Sequence, residues 1–269
     1  MSQPRAWPVA LTIAGSDPSG GAGVQADLKT FAAQQVYGAS VVTAVTAQNT
    51  REVVDVLVLS PNIVVAQMSA VLDDLDVAAT KTGMLGSAAV IEATVAVLKA
   101  HRRGPLVVDP LIRSTSGRRL LDDAGVNALR ERLLPMADLL TPNREEASIL
   151  CGDAVDPGDV HAQARHLARL GARAVLVTGG AGQDDVVTDV LHEGRDFRTL
   201  RRPRVRTRST HGTGCTLSAA VTARLAHGDS LVDATTTARD YLQCCLQGAR
   251  PLGGGNGPLH HFHGMWSSS

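Results

Sequence analysis

The sequence predicts an α/β fold in which helices flank a mostly parallel, doubly wound sheet. Apolar runs of about four to eight residues alternate with stretches of about 10–15 residues that have helical spacing, a pattern typical of such sheets. Glycine-rich or polar segments follow several of the apolar runs directly. Ligands bind doubly wound sheets at the carboxyl ends of the strands, so we expect the functional residues to lie just after strands.

The apolar runs and the helical stretches define an order of elements along the chain. Buried strands are predicted at residues 9–14, 39–46, 78–81, 106–109, 139–141 and 174–177. An antiparallel pair near a sheet edge is predicted at residues 186–192 and 197–205. Helices are predicted at residues 22–35, 62–72, 88–101, 124–133, 159–169, 212–226 and 231–247. No internal repeat interrupts this order, and we interpret residues 1–269 as a single domain.

Net charge and composition argue against several classes of protein. The 269 residues include 26 basic and 26 acidic side chains, and this balance provides no basic field for nucleic acid or for an anionic membrane. No apolar run approaches the roughly 20 residues of a membrane helix, and the N-terminal segment lacks the pattern of a signal peptide. The four cysteines show neither CxxC pairs nor metal-site spacing, which indicates reduced thiols and a cytoplasmic protein.

Lysine is rare in this chain. Only three of the 26 basic residues are lysines, at Lys29, Lys81 and Lys99, and the rest are arginines. Because arginine does not give up its proton and does not replace a compact ammonium group easily, a mechanism that needs lysine has few candidates.

A glycine-rich cluster follows the first predicted strand and leads into a helix. It runs from Gly15 to Gly23 and is followed by Asp27. Glycines allow backbone amides to approach a ligand, but the string matches neither a Walker A loop nor a dinucleotide fingerprint. A tight strand-to-helix turn explains the glycines equally well, and Asp27 would then be an exposed acid favoured by the helix dipole.

A second cluster, THGTGCT, opens a long predicted helix. Free backbone amides at a helix N-terminus bind anions, and Gly212, Thr213 and Gly214 are small enough to keep such a site open. Cys215 lies in the first turn, where the helix dipole is expected to lower the pKa of a thiol. The alternative is an ordinary capped helix start with a buried cysteine.

A third cluster, TPNREE, follows a short strand. Asn143 and Glu146 are three residues apart, so they share one face of a first helical turn. An amide and a carboxylate there could hold a hydrated Mg²⁺, but a capping box explains the same pair. Asp109 is a further acid that ends the strand at residues 106–109.

These clusters occur together with other motifs in a recognisable order. The segments ALTIAGSDPSGGAGVQADLKTF, TAVTAQNT, KTGMLG, VVDP, TPNREEA and HGTGCTLSAA resemble the hydroxymethylpyrimidine/phosphomethylpyrimidine kinases of thiamine biosynthesis, which belong to the ribokinase-like superfamily. The resemblance extends over residues 9–263. It implies a ribokinase-like fold, a pyrimidine substrate, ATP and Mg²⁺ as cofactors, and a homodimer.

The resemblance also implies roles for individual residues. The residues that match the pyrimidine site are Gly15, Asp27, Gln48, Met84 and Leu111. Those that match the anion hole are Gly212, Thr213, Gly214 and Cys215, with Cys215 in the place where sugar-kinase relatives carry an aspartate base. Those that match the nucleotide region are Asp109, Asn143, Glu146, Thr178 and Gly180, with Asn143 and Glu146 also assigned to Mg²⁺.

Two departures from the family pattern leave alternatives open. Thr115 and Thr178 stand where the family usually has lysines, so the charge for the nucleotide would have to come from elsewhere, and arginines such as Arg113, Arg118 and Arg144 are nearby in sequence. A non-catalytic pyrimidine-binding protein is therefore one alternative. A pyridoxal or pyridoxine kinase of the same superfamily is another, although Asp27 and Gln48 favour the pyrimidine.

Overall fold

A computed structural model describes residues 7–180 and 184–266, and its strands form one sheet. The nine strands are β1 (Val9–Ser16), β2 (Tyr37–Gln48), β3 (Val53–Val58), β4 (Val77–Thr82), β5 (Leu106–Val108), β6 (Leu139–Leu140), β7 (Ala174–Val177), β8 (Val186–Glu193) and β9 (Asp196–Pro203). Their spatial order is β3-β2-β1-β4-β5-β6-β7-β8-β9. The six central strands, in the spatial order β2-β1-β4-β5-β6-β7, pair in parallel. Strand β3 at one edge and strands β8 and β9 at the other are antiparallel additions.

Eight α-helices cover the two faces of the sheet. They are α1 (Gly23–Ala33), α2 (Pro61–Leu72), α3 (Ala88–His101), α4 (Asp123–Ala128), α5 (Arg144–Cys151), α6 (Val160–Arg169), α7 (Thr213–Ala226) and α8 (Leu231–Gln247). Helices α2 to α6 pack on one face, and α1, α7 and α8 on the other. All three residues of strand β5 are apolar because both of its faces are buried. Leu106 and Val108 pack against the helices on the first face of the sheet, and Val107 packs against those on the second.

The observed architecture confirms the predicted doubly wound α/β class and the order of the predicted elements. Two elements were not predicted. Strand β3 was missed because most of its residues are exposed or half-buried, so it lacks the apolar run of a central strand. Helix α5 was missed because it is short and begins with three charged residues. Within the two described stretches of chain, no helix has the length and apolarity to cross a membrane.

Candidate functional site

A cleft opens at the carboxyl ends of the central parallel strands, as expected for this architecture. Its cavity volume is about 80 Å³. Its walls come from the loop after β1, the end of β2, the loop after β4, the segment after β5 and the start of α7. The lining residues include Gly15, Asp17, Gln48, Met84, Leu111, Ser114, Thr115, Leu120, His211, Gly212, Gly214 and Cys215.

The glycine-rich loop after β1 forms one wall of the cleft. A Cβ atom on Gly15 would lie 3.1 Å from Met84 Sδ, so glycine keeps this part of the cleft open. The Asp17 carboxylate organises the loop by accepting hydrogen bonds from the backbone N–H groups of Ser19 (2.9 Å) and Ala22 (2.8 Å). The loop is therefore more than a tight turn, because its backbone is held against the cleft by a buried acid.

Asp27 does not lie on an exposed helix face. Its side chain is fully buried beneath the cleft and is not among the lining residues. One carboxylate oxygen accepts a hydrogen bond from Thr12 Oγ1 at 2.6 Å, and the other pairs with Lys81 Nζ at 2.5 Å. The alternative that Asp27 is an exposed helix acid is therefore wrong. Its contact with the pyrimidine stays a prediction, and in this structure both of its oxygens already have partners inside the core.

Lys81 is a residue whose importance the sequence analysis missed. It is the only lysine on a sheet strand among the described residues. It is the penultimate residue of β4, and its side chain is fully buried. Burial lowers the pKa of Lys81, but the negative charges of Asp27 and Asp109 raise it by more than burial lowers it, so the net pKa lies above the ordinary value. A charged ammonium group therefore lies under the cleft. The rarity of lysine in an arginine-rich chain was the available signal.

The start of α7 forms the wall opposite the glycine-rich loop. Gly212 caps the helix in the left-handed conformation (φ 83°), and a Cβ atom there would collide with the Gly21 carbonyl oxygen. The amides of Gly214 and Cys215 belong to the first helical turn, whose N–H groups have no intrahelical acceptor. This arrangement is suited to binding an anion, as predicted from the motif. Thr213 is not among the lining residues.

The Cys215 thiol differs from its prediction. It is buried at the base of the cleft, and burial raises its pKa to about 12, with the nearby charge of Lys81 lowering the value and those of Asp109 and Asp27 raising it. The prediction of a pKa lowered by the helix dipole is wrong, because desolvation and two acids outweigh the dipole and the ammonium group.

Two further acids lie beside this helix start. The Asp109 carboxylate accepts a hydrogen bond from Ser218 Oγ at 3.0 Å and is buried, and burial raises its pKa. Burial also raises the pKa of Glu146 to about 8, and the charge of Asp109 adds to this. Glu146 therefore retains a proton near neutral pH.

Asn143 and Glu146 form a capping box. The Asn143 side chain accepts from the Glu146 N–H (2.9 Å), and the Glu146 carboxylate accepts from the Asn143 N–H (3.0 Å) and, at 3.4 Å, from the Ile112 N–H. In the two described stretches of chain, no three His, Cys, Asp or Glu side chains form a metal-binding group. The capping box engages the Asn143 Oδ1 and one oxygen of Glu146, and the hydrated Mg²⁺ assigned to this pair stays a prediction.

A hairpin-like flap, defined as residues 110–121, covers the cleft. Leu111, Ser114, Thr115 and Leu120 face into it, which agrees with the hydrophobic wall assigned to Leu111. The flap is attached to the sheet edge by Arg118, whose guanidinium donates to the carbonyl oxygens of Val53 and Val54, each at 2.8 Å.

The nucleotide-region residues after β7 lie outside the cleft lining. Thr178 is half-buried and bridges to Asn143, and the Gly180 carbonyl oxygen accepts from Arg204 Nη1 at 2.8 Å. Among the arginines considered as lysine substitutes, Arg113 pairs with Glu145 at 3.1 Å, and Arg144 is exposed. Arg118 is engaged by backbone carbonyls, as described above.

His211 and Asp17 also line the cleft, and the sequence analysis gave them no role. The ring of His211 lies between the Asp17 carboxylate, at 2.8 Å from Nε2, and the Gln48 amide, at 3.2 Å. Their presence in the first and last motifs was the only sequence signal. The lining therefore combines Gly15, Gln48, Met84, Leu111, Gly212, Gly214 and Cys215 as predicted, together with these two residues.

Comparisons with known proteins agree on one family. The family model described as "Phosphomethylpyrimidine kinase" matches residues 17–260. The hydroxymethylpyrimidine/phosphomethylpyrimidine kinase of Rhizobium meliloti (strain 1021) is 48% identical over 262 residues, which cover 96% of this chain and 98% of that protein. The enzyme of the same name from Haemophilus influenzae is 44% identical and covers 94% of this chain and 96% of its own.

Solved structures of similar fold include enzymes with two different names. An ADP complex of Bacillus subtilis pyridoxal kinase superposes with a TM-score of 0.87 at 36% identity, covering 95% of this chain and 98% of that chain. The phosphomethylpyrimidine kinase of Clostridium difficile 630 superposes with a TM-score of 0.77 at 38% identity, covering 87% and 97%. These neighbours agree with the ribokinase-like fold that the motifs predicted.

Proposed function

We propose, from the premise that the chain belongs to the phosphomethylpyrimidine kinase family, that it transfers a phosphoryl group from ATP to 4-amino-5-hydroxymethyl-2-methylpyrimidine and then to its monophosphate. The observation that carries this proposal is the cleft itself. It combines an amide edge at Gln48, apolar walls at Met84 and Leu111, and the free amides of Gly214 and Cys215.

The residues of the cleft mainly position the pyrimidine and stabilise the negative charge on the transferred phosphoryl group. Gln48 would hydrogen-bond the ring while Met84 and Leu111 hold its faces, which directs the hydroxymethyl group toward the start of α7. The amides there would stabilise the charge that spreads over the transferred phosphoryl oxygens. Cys215 is the ionisable group nearest to those amides, and we assign to it the acceptance of the hydroxyl proton.

ATP is the nucleotide implied by kinase relatives and by structural neighbours solved with ADP or AMP-PCP. We assign Asp109, Thr178 and Gly180 to the binding of this nucleotide. Mg²⁺ would neutralise phosphate charge when bound, and it would enter with the nucleotide phosphates and its own waters. Because the capping box engages the Asn143 Oδ1 and one oxygen of Glu146, we derive no step through the ion.

Pyridoxal kinase is the competing function, since several structural neighbours carry that name. Relatives that are 44–48% identical over nearly the full chain are named as hydroxymethylpyrimidine/phosphomethylpyrimidine kinases, and a cleft with a carboxamide edge suits an aminopyrimidine. Steady-state ADP production with the aminopyrimidine, its monophosphate or pyridoxal tests the proposal. We expect the first two to be turned over well and pyridoxal poorly.

The matched control is Gln48→Ala, which leaves the apolar walls in place. We expect it to weaken turnover of the aminopyrimidine and to leave the poor turnover of pyridoxal almost unchanged. Failure of the wild-type protein to produce ADP with any of these substrates would indicate a binding protein instead.

We also propose a homodimer, based on apolar residues exposed on β2 and β3, namely Val45, Val54 and Leu57.

A further inference from the structure

Four polar side chains form a network in the wall of the cleft. Asp17 is buried, and its carboxylate lies 2.8 Å from His211 Nε2. The same His211 nitrogen lies 3.2 Å from one end of the Gln48 carboxamide. The other end of that carboxamide lies 3.2 Å from Thr46 Oγ1.

The partners of Asp17 determine where His211 carries its proton. Burial raises the pKa of Asp17, but hydrogen bonds from His211, Ser19 and Ala22 outweigh burial, and the net pKa lies below its ordinary value. An ionised carboxylate only accepts hydrogen bonds. His211 must therefore donate from Nε2, and this holds for both the neutral and the protonated ring.

The donor on His211 in turn determines which end of the Gln48 amide faces it. Two N–H groups cannot satisfy each other, so the amide oxygen must face His211 Nε2. At the other end, Thr46 Oγ1 has one proton, and the Ser16 carbonyl oxygen lies 3.0 Å away to accept it. The Gln48 amide nitrogen then donates to Thr46 Oγ1, and the single proton on His211 Nε2 is shared between the Asp17 carboxylate, which is nearer, and the Gln48 amide oxygen.

The glycines around His211 hold its ring in place. A Cβ atom on Gly21 would collide with His211 Cδ2, and the Gly257 carbonyl oxygen accepts from the His211 backbone N–H at 3.0 Å. The ring is therefore confined by Gly21 on one side and by the backbone bond to Gly257, and its Nε2 donor keeps facing the Asp17 carboxylate.

We propose that His211, held by Asp17, is a positioning residue that fixes the orientation of the Gln48 amide and thereby selects the 4-amino form of the pyrimidine over its 4-oxo form. This inference rests on the proposed function. The fixed amide has one N–H and one oxygen lone pair left for a ligand. A 4-aminopyrimidine offers the matching acceptor at N3 and donor at the amino group, whereas a 4-oxo ring with N3–H offers them in the opposite order.

The ligand cannot restore the match by turning over, because its hydroxymethyl group must keep facing the start of α7. The 4-oxo ring therefore leaves polar groups unpaired or forces the amide to rotate against His211 and Thr46. Each of these costs the free energy of a buried polar mismatch. The amide alone does not discriminate between the two rings, but an amide that cannot rotate does.

The test compares calorimetric binding of 4-amino-5-hydroxymethyl-2-methylpyrimidine with binding of its 4-oxo analogue. For the wild-type protein we expect a preference of about 10–100-fold for the amino ring, the scale of one unpaired buried polar group. His211→Phe keeps a planar aromatic ring but removes the donor, so the amide can rotate and the preference should fall to about threefold or less. His211→Gln supplies a donor again and should restore part of the preference.

A merely structural role for His211 makes a different prediction, because His211→Phe would then weaken both ligands equally and preserve the ratio. That result overturns the inference. Thr46→Val tests the network from its other end and should also lower the ratio, which keeps the inference falsifiable if His211→Phe does not fold. A wild-type protein that binds neither ring would overturn the proposed function itself.

Discussion

Lys81 and Asp27 form an ion pair that is fully buried beneath the cleft. Removal of one partner leaves the other charge unpaired in the core, which costs about 3–5 kcal/mol in comparable sites. We expect Lys81→Met to lower the free energy of unfolding by about this amount, measured by urea denaturation. The double variant Lys81→Met with Asp27→Asn should be far more stable than the single one, and equal stability of the two would contradict the pairing.

Cys215 has a high pKa, so its assigned role as proton acceptor has a kinetic signature. With a pKa of about 12, only on the order of one thiol in 10⁵ is ionised at pH 7, yet the rare thiolate is a strong base. We expect kcat to rise with pH across the neutral range when chemistry limits the rate. Cys215→Ser should lower kcat by about 10²–10⁴-fold and remove the rise. A serine variant with nearly wild-type kcat would leave catalysis to the backbone amides alone.

Glu146 makes stability depend on pH. Its folded-state pKa is raised from 4.5 to about 8, so the folded protein retains a proton that the unfolded chain releases near pH 4.5. The resulting stability is fully present below that pH and is lost as pH rises toward 8. Between about pH 5 and about pH 8, we expect Glu146→Gln to lose less unfolding free energy than the wild type, by about 1–3 kcal/mol. Parallel pH profiles of the two proteins would refute this.

The limits of prediction at single residues follow from these sites. The sequence could place Gly15, Gln48 and Met84 near one another, because each follows or ends a predicted strand. It could not tell that Asp27 faces Lys81, because helical spacing gives a face of α1 but not the strand beneath that face. It also could not decide between Mg²⁺ and a cap at Asn143, because both need the same two residue types at the same spacing.

Among the elements, the flap over the cleft is attached to strand β3 by Arg118. Arg118→Ala would free it from the Val53 and Val54 carbonyl oxygens, and we expect KM for the aminopyrimidine to rise up to about tenfold while thermal stability changes little. The matched control is Arg119→Ala, because Arg119 bonds to the Leu121 carbonyl oxygen close to it in the chain. Equal effects of the two variants on KM would show that the attachment to β3 is unimportant.

Prediction missed one strand, which is defined by a partner strand, and one short helix, which is defined by its own cap. The parallel strands are apolar throughout because both of their faces are covered, and this pattern is visible in sequence. Strand β3 is defined instead by its pairing with β2, for example Leu57 with Val45, and most of its side chains are at least partly exposed. Helix α5 depends on its capping box, whose two residues were noticed without the helix that they start.

At the scale of the whole molecule, the exposed apolar residues of β2 and β3 are the feature that the proposed homodimer would explain. Val45 is 46% exposed and Leu57 is 66% exposed, and the two are directly paired across the strands. Val54 is 61% exposed on the same edge strand. The paired Val45 and Leu57 side chains form an exposed apolar patch at this edge of the sheet, which favours contact with another protein surface, and a second copy of the chain offers the same patch.

Leu57→Asp places a charge in the centre of this patch, so we expect it to shift the protein from twice the chain mass to the chain mass in sedimentation equilibrium at micromolar concentration. The fold should survive, because the side chain is exposed in the single chain. The matched control is Val186→Asp on β8, which is 46% exposed at the opposite side of the sheet and should leave the mass unchanged. A wild-type protein that sediments as a single chain would refute the dimer, and dissociation by Val186→Asp instead would place the interface at the other edge.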